Sequence, residues 1–189
     1  MTARRQAAVA IAIFRTPPHG IVFVERAAHL RDHPGQIGLP GGRVHPEDRD
    51  LAATALRELY EEVGIEPVRA TIVAELPMLQ QRRANNFDVT PFVAVVEEGE
   101  LRIDATETAG VFVVPLATVL ERGLREEGVD VGGVRVLSRV LDYEDRRIWG
   151  LTAHILHSFV LAWDERDLRG LVAPFLIGFA NEEKRSGSP

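Results

Sequence analysis

The segment from Asp50 to Gly64 constrains the fold more than any other stretch of the chain. Leu51, Thr54, Ala55, Leu59 and Val63 recur at helical spacing and approximate one apolar face. Asp50 stands where a carboxylate can accept the free N–H groups of a first turn, and Gly64 supplies a residue that ends a helix. The spacing predicts a helix over 50–63. Such a helix must bury its apolar face, and strand-like runs lie on both sides of it. Ala7 to Phe14 reads as a buried strand. The turn Thr16-Pro17-Pro18-His19-Gly20 and a second strand, Ile21 to Val24, follow it, so the chain opens on a hairpin-like pair. Arg26 to Pro40 is polar, rich in His, Pro and Gly, and reads as a long loop. Val68 to Met78, Val89 to Val96 and Val111 to Val114 read as strands, with a short helix from Leu116 to Arg122. Val134 to Tyr143 and Arg147 to Trp149 form a second hairpin around Glu144-Asp145. Leu151 to Trp163 and Leu168 to Phe179 read as helices, and the polar residues from Asn181 as a frayed end. The pattern is α+β.

Composition narrows the function. Twenty-two Lys and Arg against 28 Asp and Glu give a net charge of −6, which argues against a nucleic-acid partner held by general electrostatics. With no cysteine, disulfide scaffolds, zinc ribbons and thiol nucleophiles are excluded, and a cytoplasmic location is expected. Ala7 to Phe14 is too short for a membrane span and lacks a clean cleavage site, so neither membrane nor signal peptide is expected. The 189 residues read as a single domain over 1–189, with a helical C-terminal extension from about 150. There is no G-x-x-x-x-G-K-[ST], no convincing G-x-G-x-x-G and no H-E-x-x-H, and the serines lack a nucleophile-elbow context.

The chemistry concentrates on the predicted helix. Residues four apart share a helix face, so Glu58 and Glu62 project together with Glu61 beside them. Like charges at that spacing repel unless solvent screens them or a cation neutralises them. Carboxylate oxygens suit hard divalent cations such as Mg²⁺ or Mn²⁺. Arg57 stands four before Glu61 and can pair with it. An isolated E-x-x-E-E is usually a solvated acidic face. Here the helix follows Leu39-Pro40-Gly41-Gly42, where backbone can approach a ligand closely. Loop arginines such as Arg26, Arg31 and the Arg82-Arg83 pair are ordinarily solvated, and His154 and His157 read as residues of a packed helix. No role is assigned to His33 or His45.

Gly42 followed by Arg57-Glu58-Leu59-Tyr60-Glu61-Glu62-Val63-Gly64-Ile65 resembles the Nudix hydrolase signature: Gly, five residues, Glu, seven residues, then Arg-Glu-apolar-x-Glu-Glu-x-Gly-apolar. Fourteen residues separate Gly42 from Arg57, where the common pattern has thirteen. Counting from Gly42 puts Asp48 at the position of the first Glu, and counting back from Arg57 puts Arg49 there. A second element is similar to the one that marks the coenzyme A pyrophosphatase branch. It comprises Val22-Phe23-Val24-Glu25-Arg26-Ala27, then Arg31, Gly35 and Leu39-Pro40-Gly41-Gly42, with Leu39 in place of Phe.

The resemblance implies an α/β/α sandwich with a mixed sheet, a loop–helix–loop catalytic motif and C-terminal helices. It implies hydrolysis of the diphosphate bond of coenzyme A and its derivatives, with Mg²⁺ or Mn²⁺ as cofactor and a small nucleotide as substrate. Glu58, Glu62, Glu61 and the carbonyl of Gly42 are the expected metal ligands. Glu61, Glu107 and Arg57 are the expected catalytic residues, with Arg57 as a positioning partner of the glutamates. Arg26, Arg31, Gly35 and Gly41 are the expected substrate-binding residues. Two other readings remain open: hydrolysis of another nucleoside diphosphate such as ADP-ribose, and a non-catalytic nucleotide-binding module. An exposed face on the terminal helices would be compatible with a homodimer.

Overall fold

The computed structural model describes residues 4–29, 34–81, 87–103, 105–106, 108–165 and 168–179. Its centre is β1 (Arg5–Phe14), which alternates in the way a strand buried on both faces must. Ala8, Ala10 and Ala12 face one side, and Ala7, Ile11 and Ile13 face the other. The small residues let a helix lie close, and α1 (Leu51–Val63) packs there through Ala55, Leu59 and Val63. Phe92, Ala94 and Val96 of β7 (Phe87–Val96) complete that layer.

The main sheet runs β3 (Ile37–Gly38), β2 (Gly20–Arg26), β1, β7, β5 (Ala70–Glu75). In addition, β4 (Gly41–Arg43) pairs with β1, β6 (Leu79–Gln81) with β7, and β8 (Thr108–Pro115) with β2. β1 and β7 pair in parallel from Arg5↔Phe87 to Phe14↔Val96, and the other pairings are antiparallel. A parallel pair needs a long crossover, and the chain between these strands carries α1 across one face. The opposite face is covered by α2 (Leu116–Arg122), α3 (Gly150–Glu165) and α4 (Leu168–Val172). Leu116, Val119, Ile155, Leu156, Phe159, Leu168 and Val172 there join Ile11, Ile13, Phe23 and Val93 in one core. The result is the expected mixed sheet between helices. No helix among the described residues is long and apolar enough to cross a membrane.

The ends of α1 are as the sequence predicts. Asp50 Oδ1 accepts the N–H of Ala53 at 2.7 Å, and Gly64 sits at φ 74° with its N–H donating to Tyr60. Asp50→Ala should lower stability by about 1 kcal/mol, measured by urea unfolding.

Three sequence expectations change. The loop from Arg26 to Pro40 contains β3, and the turn before it is pinned by Gly35 N–H on the Arg26 carbonyl (3.1 Å) and Arg26 N–H on the Gln36 carbonyl (3.0 Å), with Gly35 at φ 67°. The helix expected over 168–179 ends at Val172, because Pro174 has no N–H to continue it; a 3-10 turn, Ala173–Phe175, follows. The predicted hairpin of β10 (Val134–Tyr143) and β11 (Arg146–Trp149) forms, but a third strand, β9 (Arg125–Val131), pairs beside it. The end from Asn181 lies outside the described residues.

Candidate functional site

Two glycines bring α1 against β4. A Cβ on Gly41 would lie 2.5 Å from the Ala8 carbonyl oxygen and 2.6 Å from the Val9 Cα, so the strand fits against β1 only without one. A Cβ on Gly42 would lie 2.4 Å from Glu58 Oε1. The bare backbone therefore lets a glutamate of α1 approach the strand directly. Glu62 is 8% exposed and accepts the Gly41 N–H through Oε2 at 2.9 Å. The Glu58 side chain is largely buried, and that of Glu61 is half exposed.

These contacts separate two substitutions. Gly41→Ala presses on backbone that cannot move aside, and should cost roughly 1–3 kcal/mol of stability. Gly42→Ala presses only on the end of a flexible side chain. It should leave the melting temperature nearly unchanged and displace Glu58, so its loss appears in activity. Melting curves beside rate assays on the two variants check this.

Arg57 ties the acids together. Its Nη1 donates to Glu58 Oε1 (2.9 Å) and Glu61 Oε2 (2.8 Å), and its Nη2 donates to the Arg43 carbonyl (2.8 Å). Its Nε and Nη2 also donate to the two oxygens of Asp48, at 2.9 and 3.0 Å, a bidentate fork. Asp48 is nearly buried and accepts in addition from Thr54 Oγ1 and the His45 N–H, both at 2.8 Å. The Arg57 guanidinium, aided by His45 and Thr54, outweighs burial and holds the Asp48 carboxyl far below the usual carboxylate range. Asp48 in turn raises the pKa of Arg57.

The structure thus follows the count from Gly42. Asp48 occupies the position facing Arg57, while the Arg49 side chain is exposed beside Asp50. Thr54, read from the sequence as part of the apolar face, is buried but spends its hydroxyl on Asp48. Of the residues singled out in the sequence, Gly41, Gly42, Arg57, Glu58, Glu61 and Glu62 come together here. Arg26 and Gly35 stand at the end of β2 and the turn to β3. Arg31 and Glu107 lie outside the described residues, as do His33, Arg82 and Arg83. His154 contacts the Gly150 carbonyl through Nδ1 at 2.7 Å, and burial, then Arg139 and His154, lowers the pKa of His157.

The donor set fits a hard divalent cation: carboxylates of Glu58, Glu61 and Glu62 on one helix, with the backbone of Gly42 against Glu58. Among the described residues no three acidic or imidazole groups converge on a single point. An ion such as Mg²⁺ does not require that, since it is commonly held by one or two carboxylates plus substrate phosphates and water.

A mixed sheet between helices, with a Gly-Gly strand facing a helix of three glutamates, defines a loop–helix–loop carboxylate site. Residues 4–131 match the NUDIX domain, and the chain belongs to the Nudix family. It is 39% identical over 161 residues to the uncharacterized Nudix hydrolase NudL of Salmonella newport (strain SL254), a match covering 84% of this chain and 82% of that protein. The NudL of Salmonella heidelberg (strain SL476) matches to the same extent. Among solved structures, the MutT/nudix family protein from Enterococcus faecalis superposes with a TM-score of 0.56 at 15% identity, over 87% of this chain and 64% of that one. The NUDIX domain of Shewanella oneidensis NrtR, complexed with ADP ribose, superposes with a TM-score of 0.51 at 23% identity, over 64% and 79%. At these identities the likeness is one of fold.

Proposed function

We propose that this chain is a cytoplasmic, single-domain enzyme that hydrolyses the diphosphate bond of coenzyme A and its acyl derivatives. The products are adenosine 3′,5′-bisphosphate and 4′-phosphopantetheine or its acyl form. The observation that carries the hydrolase reading is the meeting of Glu58 and Glu62 with the Gly41-Gly42 strand under the Arg57 clamp. The coenzyme A reading rests on the spacing of the residues from Val22 to Gly42, which lie on β2, the following turn, β3 and β4.

In this reading Glu58 and Glu62 hold Mg²⁺ or Mn²⁺, with Glu61 beside them and the Gly42 carbonyl completing the set. An ion held there would supply positive charge against the phosphate oxygens and would lower the pKa of water. Arg57 fixes the rotamers of Glu58 and Glu61 and balances their repulsion. A carboxylate oxygen of Glu61 or Glu107 takes the proton of the attacking water. Water adds to one phosphorus, the P–O–P bridge breaks, and two phosphate monoesters leave. Arg26 and Arg31 grip phosphate oxygens, Gly35 leaves room for substrate beside the backbone, and Gly41 serves the substrate site by seating its strand against β1.

Incubation of the purified protein with coenzyme A, dephospho-coenzyme A and ADP-ribose, each with Mg²⁺ or Mn²⁺, tests the reading. Cleavage of coenzyme A to the two named products is expected. Fast ADP-ribose cleavage with no coenzyme A cleavage would overturn the branch assignment in favour of another nucleoside diphosphate. Nucleotide binding with no turnover of any substrate would mark a non-catalytic module.

A further inference from the structure

The outer end of β1 carries a second group of arginines that the diphosphate site does not use. Strand alternation puts Arg5 on the same face of the sheet as Ala7 and Val9. β4 places Arg43 opposite Ala7, and β7 places Phe87 opposite Arg5, so all three side chains share that face. The Arg43 guanidinium lies 5.1 Å over the centre of the Phe87 ring. With Arg4 and Asp88 they line an open cavity of about 480 Å³.

Many arginines of the surface are neutralised in ion pairs. Elsewhere Arg57, Arg125, Arg139, Arg146 and Arg147 each meet an acid. Here the one carboxylate among the described lining residues, Asp88, is taken by Arg4, which also donates to the Phe87 carbonyl at 2.8 Å. Among the described residues, Arg5 and Arg43 pair with no carboxylate. Two such guanidiniums in one cavity, on a chain of net charge −6, form a local positive site. The cation–π contact with Phe87 engages the Arg43 charge without using its N–H hydrogen bonds, which leaves those donors for an anion. Arg43 is also next in sequence to Gly42, and its carbonyl accepts from Arg57. One three-residue strand therefore presents Gly42 to Glu58 and Arg43 to the cavity on its other face.

We infer that Arg5 and Arg43 form a subsite for a phosphate monoester carried by the substrate away from the scissile diphosphate. The inference rests on the diphosphatase reading above and narrows its substrate class to nucleoside diphosphate derivatives bearing an additional phosphate. A doubly charged monoester matches the guanidinium forks, and binding energy gained there is available to align the distant P–O–P bridge.

The test compares kcat/KM for coenzyme A with that for dephospho-coenzyme A, which lacks the extra phosphate, in the wild type and in an Arg5→Ala/Arg43→Ala variant. Both side chains are exposed, and a melting curve verifies that the variant folds. The ratio of the two kcat/KM values should fall by about tenfold or more in the variant. Arg43→Lys should retain only part of the preference, because an ammonium lacks the planar fork. An unchanged ratio, or an equal loss on both substrates, would overturn the subsite. If the wild type cleaves neither compound, the coenzyme A reading fails, and calorimetric binding of adenosine 3′,5′-bisphosphate against AMP decides the subsite alone. Tighter binding of the bisphosphate, lost in the double variant, supports it; equal binding of the two overturns it.

Discussion

Replacing Glu58 by Gln is expected to lower kcat by roughly 100-fold or more, which is about 2.7 kcal/mol of barrier at 1.36 kcal/mol per tenfold. The substitution keeps the side chain's volume, and the amide oxygen can still accept from Arg57 Nη1. Only the charge disappears, so the melting temperature should hold. Glu58 is the acid that Gly42 admits to the strand, since a Cβ at position 42 would lie 2.4 Å from Glu58 Oε1. Glu62→Gln should act similarly, since an amide oxygen can still accept the Gly41 N–H. Glu61 is half exposed and, among the described residues, reaches the group through Arg57 alone, so Glu61→Gln should cost less than either. Rates across a Mg²⁺ titration check the order, and weaker apparent metal affinity in the first two variants separates a ligand from a mere structural acid. Full activity in Glu58→Gln would refute its assignment as a ligand.

Much of this arrangement is legible in the sequence because its signals are local. Asp50 and Gly64 mark α1 by cap chemistry, and the Arg57–Glu61 contact follows from a spacing of four. The small-side alternation of Ala8, Ala10 and Ala12 against Ile11 and Ile13 is written into β1. Helical spacing gives a direction but not a depth. It groups Glu58, Glu61 and Glu62 on one side, yet only the seat of α1 on the sheet buries Glu62 and leaves Glu61 in solvent.

The parts that escape a sequence reading depend on partners far along the chain. Nothing near Arg5 or Phe87 announces that β1 and β7 lie side by side. β9 lacks a hydrophobic run, because four of its seven residues, Arg125, Glu126, Glu127 and Asp130, are charged. It is held by its ladder to β10 and by charges across the three strands. Arg147 meets Glu127 and Asp142 at 3.0 Å each, Arg125 also meets Asp142, and Arg139 meets Glu126 at 3.3 Å. Arg5 and Arg43 likewise become neighbours of one ring only through the pairings of β1 with β4 and β7.

Asp48 illustrates both situations, and it carries the second large prediction. One extra loop residue leaves the sequence two ways to align the first acid. The loop decides by closing on itself: the Asp48 N–H donates to the His45 carbonyl at 2.9 Å and the His45 N–H donates to Asp48 Oδ2. Asp48→Ala removes the bidentate partner of Arg57 and leaves the buried Thr54 hydroxyl without its shorter acceptor. Arg57 keeps Glu58, Glu61 and the Arg43 carbonyl, so the loss of stability should be about 2–3 kcal/mol, below that for isolating a fully buried charge. Activity should fall about 10- to 100-fold as Arg57 loses the anchor that aims it at the glutamates. Asp48→Asn preserves an acceptor and removes the charge, which gives the matching pH test. The folded pKa of Asp48 lies below its unfolded value near ~3.9, so its contribution is fully present above that value and is lost as pH falls towards the folded pKa. The stability gap between wild type and Asp48→Asn should therefore stay constant from about pH 8 to pH 5 and shrink below about pH 4. A gap that closed near neutrality, or one that widened in acid, would show that the Arg57 fork does not set the charge of Asp48.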